Sequence, residues 1–270
     1  MDEGECGYLE SWIKTRQVPS PQLLIKDHKG QQADGHYKTR LLVPATNFTQ
    51  GFAKIAYKTI KVIFDNNGVK YCTRTITQAS HLKSQLEKLS LTSSNATIAS
   101  LDVENMYPSI KYRLVLSAIN FYSECFNEEE MERIDAALEM LKFSMRNTII
   151  SFADKYYECG TSDDPMERGL TIGGYESAWL ADLVASYVLD KAKDRFADTH
   201  YFRIYRDDGC VVFKGPRETE ELTTWLEDFQ REVNDITESD DDIVFTMSIW
   251  KPGGEKEEVP GGKIDVCDEP

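Results

Sequence analysis

Apolar residues recur at intervals of three and four positions in six segments of the chain. In residues 51–64, GFAKIAYKTIKVIF, they fall at positions 52, 55, 56, 60 and 63. This spacing places apolar side chains on one face of a helix. The same interpretation applies to segments 79–89, 109–122, 127–145, 176–196 and 218–236. Ser109 and Asn127 stand at the starts of two segments and are predicted N-caps, because their side chains can accept hydrogen bonds from free amide groups.

Shorter apolar runs predict β-structure at 96–103, 201–214 and 242–250. The second run, YFRIYRDDGCVVFK, has apolar residues on both sides of Asp207, Asp208 and Gly209. Asp-Gly between two apolar runs predicts a tight hairpin turn, because both residues tolerate positive φ. The order strand, helices, hairpin, helix, strand predicts an α+β fold, in which helices back a split βαβ antiparallel sheet.

Three carboxylates would meet at one edge of such a sheet. Asp102 ends the 96–103 strand, and the predicted hairpin carries Asp207 and Asp208. Each aspartate alone fits a strand end or a turn, but together they would repel unless a cation neutralised them. Hard cations such as Mg²⁺ prefer carboxylate oxygens, and two of them can hold the attacking and leaving oxygens of a phosphoryl transfer. The pattern therefore predicts a site for two Mg²⁺ ions, in which Mn²⁺ can substitute.

Composition places the chain among intracellular proteins. No stretch of the 270 residues approaches a membrane span of about 20 apolar residues. The start, MDEGECGYLE, is acidic and lacks the features of a signal peptide. The six cysteines are too far apart for a zinc clip and are expected to stay reduced. We therefore expect a nuclear or cytoplasmic location and no membrane partner.

The charge is distributed unevenly. Residues 11–98 contain 13 Lys and Arg against four Asp and Glu, whereas residues 99–270 contain 18 against 38. A basic N-terminal third can contact nucleic-acid phosphates, but a solvated basic face would have the same composition. Charge alone leaves both interpretations open.

Five segments resemble the successive motifs of reverse transcriptases. ASLDVENMYPSI, GLTIGGYESAWLADL and YFRIYRDDGCVVF resemble three signature motifs, in the order that the family has them. LLIKDHKG (23–30) and YKTRLLVPATN (37–47) resemble the two finger motifs, and the Lys-x-His-Lys form of the first is most like Penelope-like elements, among the non-LTR retroelement enzymes. The resemblance covers roughly residues 20–268.

The resemblance implies the fingers and palm of a right-hand polymerase. Residues 1–95 would be N-terminal fingers, 96–110 and 169–250 the palm, 111–168 a helical insertion, and 251–270 the end of the palm. The segment KIDVCDEP (263–270) resembles the last palm motif, and no thumb follows it. We therefore expect a fragment or a decayed copy of a longer retrotransposon enzyme, with weak affinity for primer–template.

The resemblance also implies roles at the carboxylate edge. Asp102 and Asp207 would be the principal metal ligands, Asp208 a more peripheral one, and Val103 would contribute its backbone carbonyl. Tyr107 falls at the aromatic steric gate that crowds a ribose 2′-hydroxyl, so it favours deoxynucleotides.

Further positions would bind nucleotide or nucleic acid. Arg40 resembles the finger arginine that grips the triphosphate, with Lys38 as a weaker candidate beside it. Gly173 and Gly174 match the motif whose backbone approaches the nucleotide, although a turn before a helix needs glycine equally. Nucleic-acid contacts are expected from Lys26, Lys29, Tyr205 and Arg206.

Some residues depart from the family pattern. Arg206 occupies a position that is often small or apolar, and strand alternation would point it away from Asp207, so that it need not displace a metal. The contact expected of it instead is with primer backbone. Thr171 stands where proline is common, and Tyr175-Glu176 replaces the usual small or proline pair.

The sequence predicts template-directed DNA synthesis, in which dNTPs are added to a primer 3′-hydroxyl on an RNA or DNA template. Two alternatives stay open. One is a catalytically weak or inactive polymerase-like module that binds nucleic acid. The other is a different palm enzyme, such as a nucleotidyl cyclase or an RNA-dependent RNA polymerase. The sequence leaves the oligomeric state open.

Overall fold

The structure is a computed structural model, and it describes residues 3–15, 18–25, 35–37, 39–44, 47–71, 74–76, 78–89, 96–159, 163–250 and 256–260. The α-helices are α1 Glu3–Thr15, α2 Gln50–Asn66, α3 Ala79–Leu86, α4 Met106–Ser109, α5 Tyr112–Tyr122, α6 Glu128–Arg146, α7 Ser177–Lys191 and α8 Thr219–Thr237. The strands are β1 Gln22–Ile25, β2 Thr39–Leu42, β3 Ala96–Val103, β4 Ile149–Phe152, β5 Lys155–Glu158, β6 Thr199–Tyr205, β7 Asp208–Lys214, β8 Phe245–Trp250 and β9 Lys256–Val259. In the described ranges, no helix combines the length and apolar character needed to cross a membrane.

The chain divides into two compact units. The first unit comprises residues 1–69 and 111–180, and the second comprises residues 70–110 and 181–270. The chain passes between the units three times, and the last passage falls within α7.

The first unit is built on packed helices. Helix α2 packs against α6, and its apolar stripe includes the fully buried Ile60. Phe64, near the end of α2, contacts the rings of Phe126 and Trp179 at centroid distances of 5.3 and 6.0 Å. The predicted cap of α6 is confirmed, because Asn127 forms a reciprocal capping box with Glu130. Two separate hairpins, β1–β2 and β4–β5, complete the unit.

The second unit contains a five-stranded antiparallel sheet with the strand order β6-β7-β3-β8-β9. Helix α8 packs on it through aromatic residues, with the ring of Phe229 4.9 Å from that of Phe245 on β8. On the neighbouring hairpin, Phe202 of β6 stacks on Phe196 at 4.0 Å. The predicted α+β class, with helices backing an antiparallel sheet, is confirmed, and β3 lies between the hairpin and β8.

Several boundaries differ from the predictions. Ser109 is the last residue of α4 rather than an N-cap, and its hydroxyl donates to the Glu104 carbonyl at 3.3 Å. Helix α5 begins at Tyr112, because the chain is extended at Lys111. Helix α7 ends at Lys191 and is followed by a 3₁₀ turn. The periodicity did not reveal α1 or the hairpins β1–β2 and β4–β5, whose four-residue strands are largely exposed and carry little burial pattern.

Candidate active site

The predicted carboxylates lie on neighbouring strands at one end of the five-stranded sheet. Asp102 of β3 is directly opposite Asp208 of β7 in the antiparallel register, and Thr246 of β8 flanks Asp102 on its other side. Opposed residues of an antiparallel pair project their side chains to the same face, with Cβ atoms about 4.5–5.5 Å apart. The sheet therefore brings together two carboxylates that are far apart in the sequence.

Asp207 lies in the turn that joins β6 to β7. Tyr205 pairs with Asp208, so that Arg206 and Asp207 form a two-residue turn. The amide of Val103 donates to the carbonyl of Asp207 at 2.9 Å, which ties the turn to the end of β3. The turn is therefore two residues earlier than the Asp-Gly pair from which the sequence predicted it.

Gly209 serves packing rather than the turn. It lies within β7 opposite Leu101, and a Cβ atom there would come within 3.0 Å of the Leu101 Cβ. Because that contact is tighter than real Cβ atoms tolerate without a shift, a larger residue would push β7 away from β3 beside Asp102.

The donor atoms suit a hard divalent cation. Among the described residues, however, no three His, Cys, Asp or Glu side chains form a group that could hold a metal ion. Mg²⁺ commonly binds through one or two carboxylates, with waters and substrate phosphates as the other ligands. The two carboxylates that the register opposes, those of Asp102 and Asp208, match that pattern in number and in type of donor atom.

Tyr107 follows the carboxylate strand closely. After β3, Asn105 adopts a left-handed conformation with φ 48° and starts the single turn of α4. Tyr107 lies within this turn and is half-buried. The amide of Glu104 donates to the Val244 carbonyl at 2.9 Å and holds the connection in place. The second unit thus contains Tyr107 together with the three aspartates.

The other predicted nucleotide contacts belong to the first unit. Arg40 is exposed on β2 and pairs in register with Leu24 of β1. Lys26, Lys29 and Lys38 lie outside the described residues, so their predicted contacts stay predictions.

The two predicted glycines have structural reasons of their own. Gly173 has φ +101°, and a Cβ atom there would lie 2.4 Å from the Val43 carbonyl oxygen. A Cβ atom at Gly174 would lie 2.3 Å from Oγ of Ser177. Gly173 therefore demands glycine within the first unit, because both its φ and a backbone oxygen exclude a side chain, whereas a larger residue at Gly174 would require the Ser177 hydroxyl to move.

A buried acid follows these glycines at the start of α7. Glu176 is 2% exposed, and the described part of the chain offers its Oε2 atom no hydrogen-bond partner. Burial raises the pKa of Glu176 to about 7, and a hydrogen bond with Gln50 opposes the rise. Gln50 also accepts from the Tyr175 amide at 2.8 Å. The acid that departs from the family pattern is therefore a core residue rather than a surface ligand.

Arg206 makes a contact that the sequence did not predict. Its Nη1 atom lies 2.5 Å from Oδ2 of Asp182 on α7, and the two side chains are 34% and 21% exposed. Burial raises the pKa of Asp182, and Arg206 opposes the rise. Tyr205 next to it is 44% exposed and remains accessible. Asp182 is a charged residue inside the apolar run WLADLVASYVL, and this was the signal in the sequence that it needs a partner such as Arg206.

No family model matches the chain, and no curated protein matches it. Among solved structures, the chain resembles telomerase from Candida tropicalis truncated from its C-terminal domain, with a TM-score of 0.54, 8% identity, and coverage of 92% of this chain and 55% of that chain. It also resembles Candida tropicalis telomerase in complex with the TWJ fragment of telomeric RNA (TM-score 0.56, 9% identity, 94% and 45% coverage). The corresponding complex from Candida albicans gives a TM-score of 0.50 at 10% identity, with 86% and 43% coverage.

The chain spans about half the length of these telomerase structures. At such low identity the likeness shows the fold alone. The chain therefore has a polymerase-like fold of the reverse-transcriptase type, in which Asp102 and Asp208 lie opposite each other at one end of the five-stranded sheet and Asp207 lies in the adjoining turn.

Proposed function

We propose that this chain is a reverse-transcriptase domain that adds deoxynucleotides to a primer 3′-hydroxyl on an RNA or DNA template. The observation that carries the proposal is the register that places Asp102 opposite Asp208, with Asp207 in the adjoining turn, in a reverse-transcriptase-like fold. In this proposal the five-stranded sheet is the palm, and the β1–β2 hairpin with its neighbouring helices belongs to the fingers.

Asp102, Asp207 and the Val103 carbonyl would hold Mg²⁺, with Asp208 as a peripheral carboxylate. When bound, such ions neutralise the charge that develops between the attacking hydroxyl and the departing pyrophosphate. The contribution of the chain is to keep the carboxylate oxygens in place, through the β3–β7 register and the bond between Val103 and Asp207.

Further residues are proposed to contact the nucleotide or the nucleic acid. Arg40 is exposed, and its rigid fork of donors suits a triphosphate. Tyr107 would crowd a ribose 2′-hydroxyl and so select deoxynucleotides. The exposed Tyr205 offers an aromatic face beside the carboxylates, and such faces stack on bases. Two of the telomerase structures contain a fragment of telomeric RNA, which supports nucleic acid as a partner of this chain.

Primer extension on matched RNA and DNA templates tests the proposal. We expect incorporation of dNTPs in the presence of Mg²⁺ or Mn²⁺, and discrimination against NTPs. Asp102→Asn should abolish extension, because it removes a charge and keeps the shape. Asp235→Asn, an exposed position on α8, makes the same chemical change away from the site and should retain full activity. Full activity in Asp102→Asn would reject the assignment.

A non-catalytic module that binds nucleic acid is the second candidate. The likeness to solved structures at 8–10% identity shows the fold alone, and this candidate has the same fold. This candidate predicts binding of primer–template by the wild type, no extension with either metal, and no effect of Asp102→Asn on binding.

A further inference from the structure

The residue before Asp207 has an unfavourable backbone conformation. Arg206 is the first residue of the two-residue turn and has φ 58°, whereas Asp207 is not among the residues with positive φ. That is the pattern of a type II′ turn, in which glycine is strongly preferred at the first position. A residue with a side chain persists in such a conformation when its surroundings over-determine it.

Those surroundings include a charge on α7. Asp182 accepts from Arg206 at 2.5 Å, although the two residues are 24 positions apart in the chain. The side chain of Asp182 is itself only 21% exposed. A carboxylate in such a place is costly without a cation, and charge-assisted hydrogen bonds are the stronger kind. The ion pair therefore stabilises both members.

The pair also completes a two-sided attachment of the turn. On one side, the Asp207 carbonyl accepts from the Val103 amide of β3 at 2.9 Å. On the other side, the side chain of Arg206 reaches Asp182 of α7. Asp207 stands between these attachments, so a change in either one would move its carboxylate.

We propose that the Arg206–Asp182 ion pair is a brace that holds the β6–β7 turn against α7 and thereby positions Asp207. Both are positioning residues, and Arg206 acts through Asp207 rather than on primer backbone. The effect of the ion pair on catalysis rests on the function proposed above, whereas its effect on the position of the turn does not. Asp182 is a charged residue inside an apolar helix, and Arg206 stands at a position that is often small or apolar in the motif it resembles. The ion pair explains why each charge is present.

A double-mutant cycle with Arg206→Gln and Asp182→Asn tests the brace. The first readout is amide hydrogen exchange at Val103, whose bond to Asp207 reports the position of the turn without metal or substrate. We expect each single variant to speed this exchange about tenfold and the double variant to do no more, as for coupled neighbours. Arg206→Lys keeps the charge and should recover part of the protection.

Arg231→Gln is the matched control, because it removes an exposed Arg–Asp pair on α8 with a separation of 2.7 Å. It should leave exchange at Val103 unchanged. The second readout is primer extension, in which the two brace variants should lower kcat about tenfold, with KM for dNTP and primer within about twofold of the wild type.

The two proposals fail in different ways. Unchanged exchange at Val103 in both single variants, or additive effects in the double variant, would overturn the brace even if the wild type extends primers. A raised KM for primer–template with unchanged exchange would also overturn it and would return Arg206 to the nucleic acid. Faster, non-additive exchange in a wild type that lacks polymerase activity would support the brace as a structural device and reject the proposed reaction.

Discussion

The β4–β5 hairpin of the first unit and the β6–β7 hairpin of the second unit are each closed by a two-residue turn with an aspartate at its second position. The backbones of the turns differ, because Ala153 and Asp154 both have positive φ (48° and 59°), whereas in the second turn Arg206 has φ 58° and Asp207 is not among the residues with positive φ. The strands around them differ. Phe152 beside the first turn is 63% exposed, whereas Ile204 near the second is 1% exposed. A two-residue turn that carries an aspartate therefore closes an exposed hairpin in one unit and stands at the candidate active site in the other.

The buried acids of the two units differ in a related way. Asp182 in the second unit has a guanidinium within 2.5 Å. Glu176 in the first unit is almost fully buried, and burial raises its pKa to about 7. A cation lets a carboxylate stay charged in the interior, while burial without one favours the protonated form. The comparison teaches that the surroundings of an acidic side chain, and not its residue type or the turn, decide whether it is held charged or protonated.

The largest expected difference between the hairpins is catalytic. Asp207→Asn should reduce primer extension by about 10²–10³-fold or more, the usual range for loss of a preorganised electrostatic group. Asp154→Asn changes the same residue at the same turn position and should leave extension unchanged, because Asp154 is exposed. Both variants are compared by kcat/KM at matched metal concentrations. Equal effects of the two substitutions would show that the hairpins do not differ in catalytic role.

The next largest expected difference between the hairpins is in stability, because the strands of the second hairpin are more deeply buried. Phe202 on β6 is 2% exposed and stacks on Phe196. Phe202→Ala should lower the free energy of unfolding by about 3–5 kcal/mol through lost contacts and a cavity. Phe152→Ala should change it by less than about 0.5 kcal/mol, as exposed positions do. Urea unfolding of both variants measures the contrast, and a large loss in Phe152→Ala would show that the first hairpin is covered in solution.

The buried Glu176 predicts a pH effect. Its ordinary pKa is 4.5, and burial raises it to about 7 in the folded chain. Between these values the folded state retains a proton that the unfolded state releases, so the free energy of unfolding should fall as pH rises. The fall should amount to about 3 kcal/mol between about pH 4.5 and 7, and be absent in Glu176→Gln.

The control for this effect is Glu132→Gln, at an exposed position on α6. It should keep the pH dependence of the wild type in urea unfolding at a series of pH values. If the free energy of unfolding of Glu176→Gln falls with pH as steeply as that of the wild type, another titrating group causes the pH dependence.

The smallest expected effect concerns the turn residues with positive φ. Ala153→Gly removes the steric cost of a left-handed Cβ and should raise the free energy of unfolding by about 0.5–1 kcal/mol, after the entropy of the unfolded chain is included. Arg206→Gly also relieves a positive φ but removes the ion pair with Asp182, so it should give no gain. Thermal unfolding of both variants compares them, and equal stabilisation would argue against a stabilising role for the pair.

Much of the fold could be predicted from the pattern of apolar residues. The strand at 96–103 coincides with β3, and helices α2, α6 and α8 lie within one or two residues of their predicted bounds. These elements each bury one long face, so their periodicity is strong. The hairpins β1–β2 and β4–β5 are built from four-residue strands that are largely exposed, with Ile150 of β4 buried, and they are too short to leave such a pattern. Ser109 has the chemistry of a cap, but the turn that starts at Asn105 makes it a helix end.

The sequence by itself determined which residue types carry chemistry and in what order they occur: an aspartate at the end of a buried strand, and two more at the tip of an apolar hairpin. Only the tertiary structure decided which of them meet. The opposition of Asp102 and Asp208 depends on the pairing of two strands more than a hundred residues apart. The contact between Arg206 and Asp182 depends on a helix packing beside a turn. Local periodicity reports which face of an element is buried, whereas the partner on that face is chosen by long-range packing, and no local pattern encodes it.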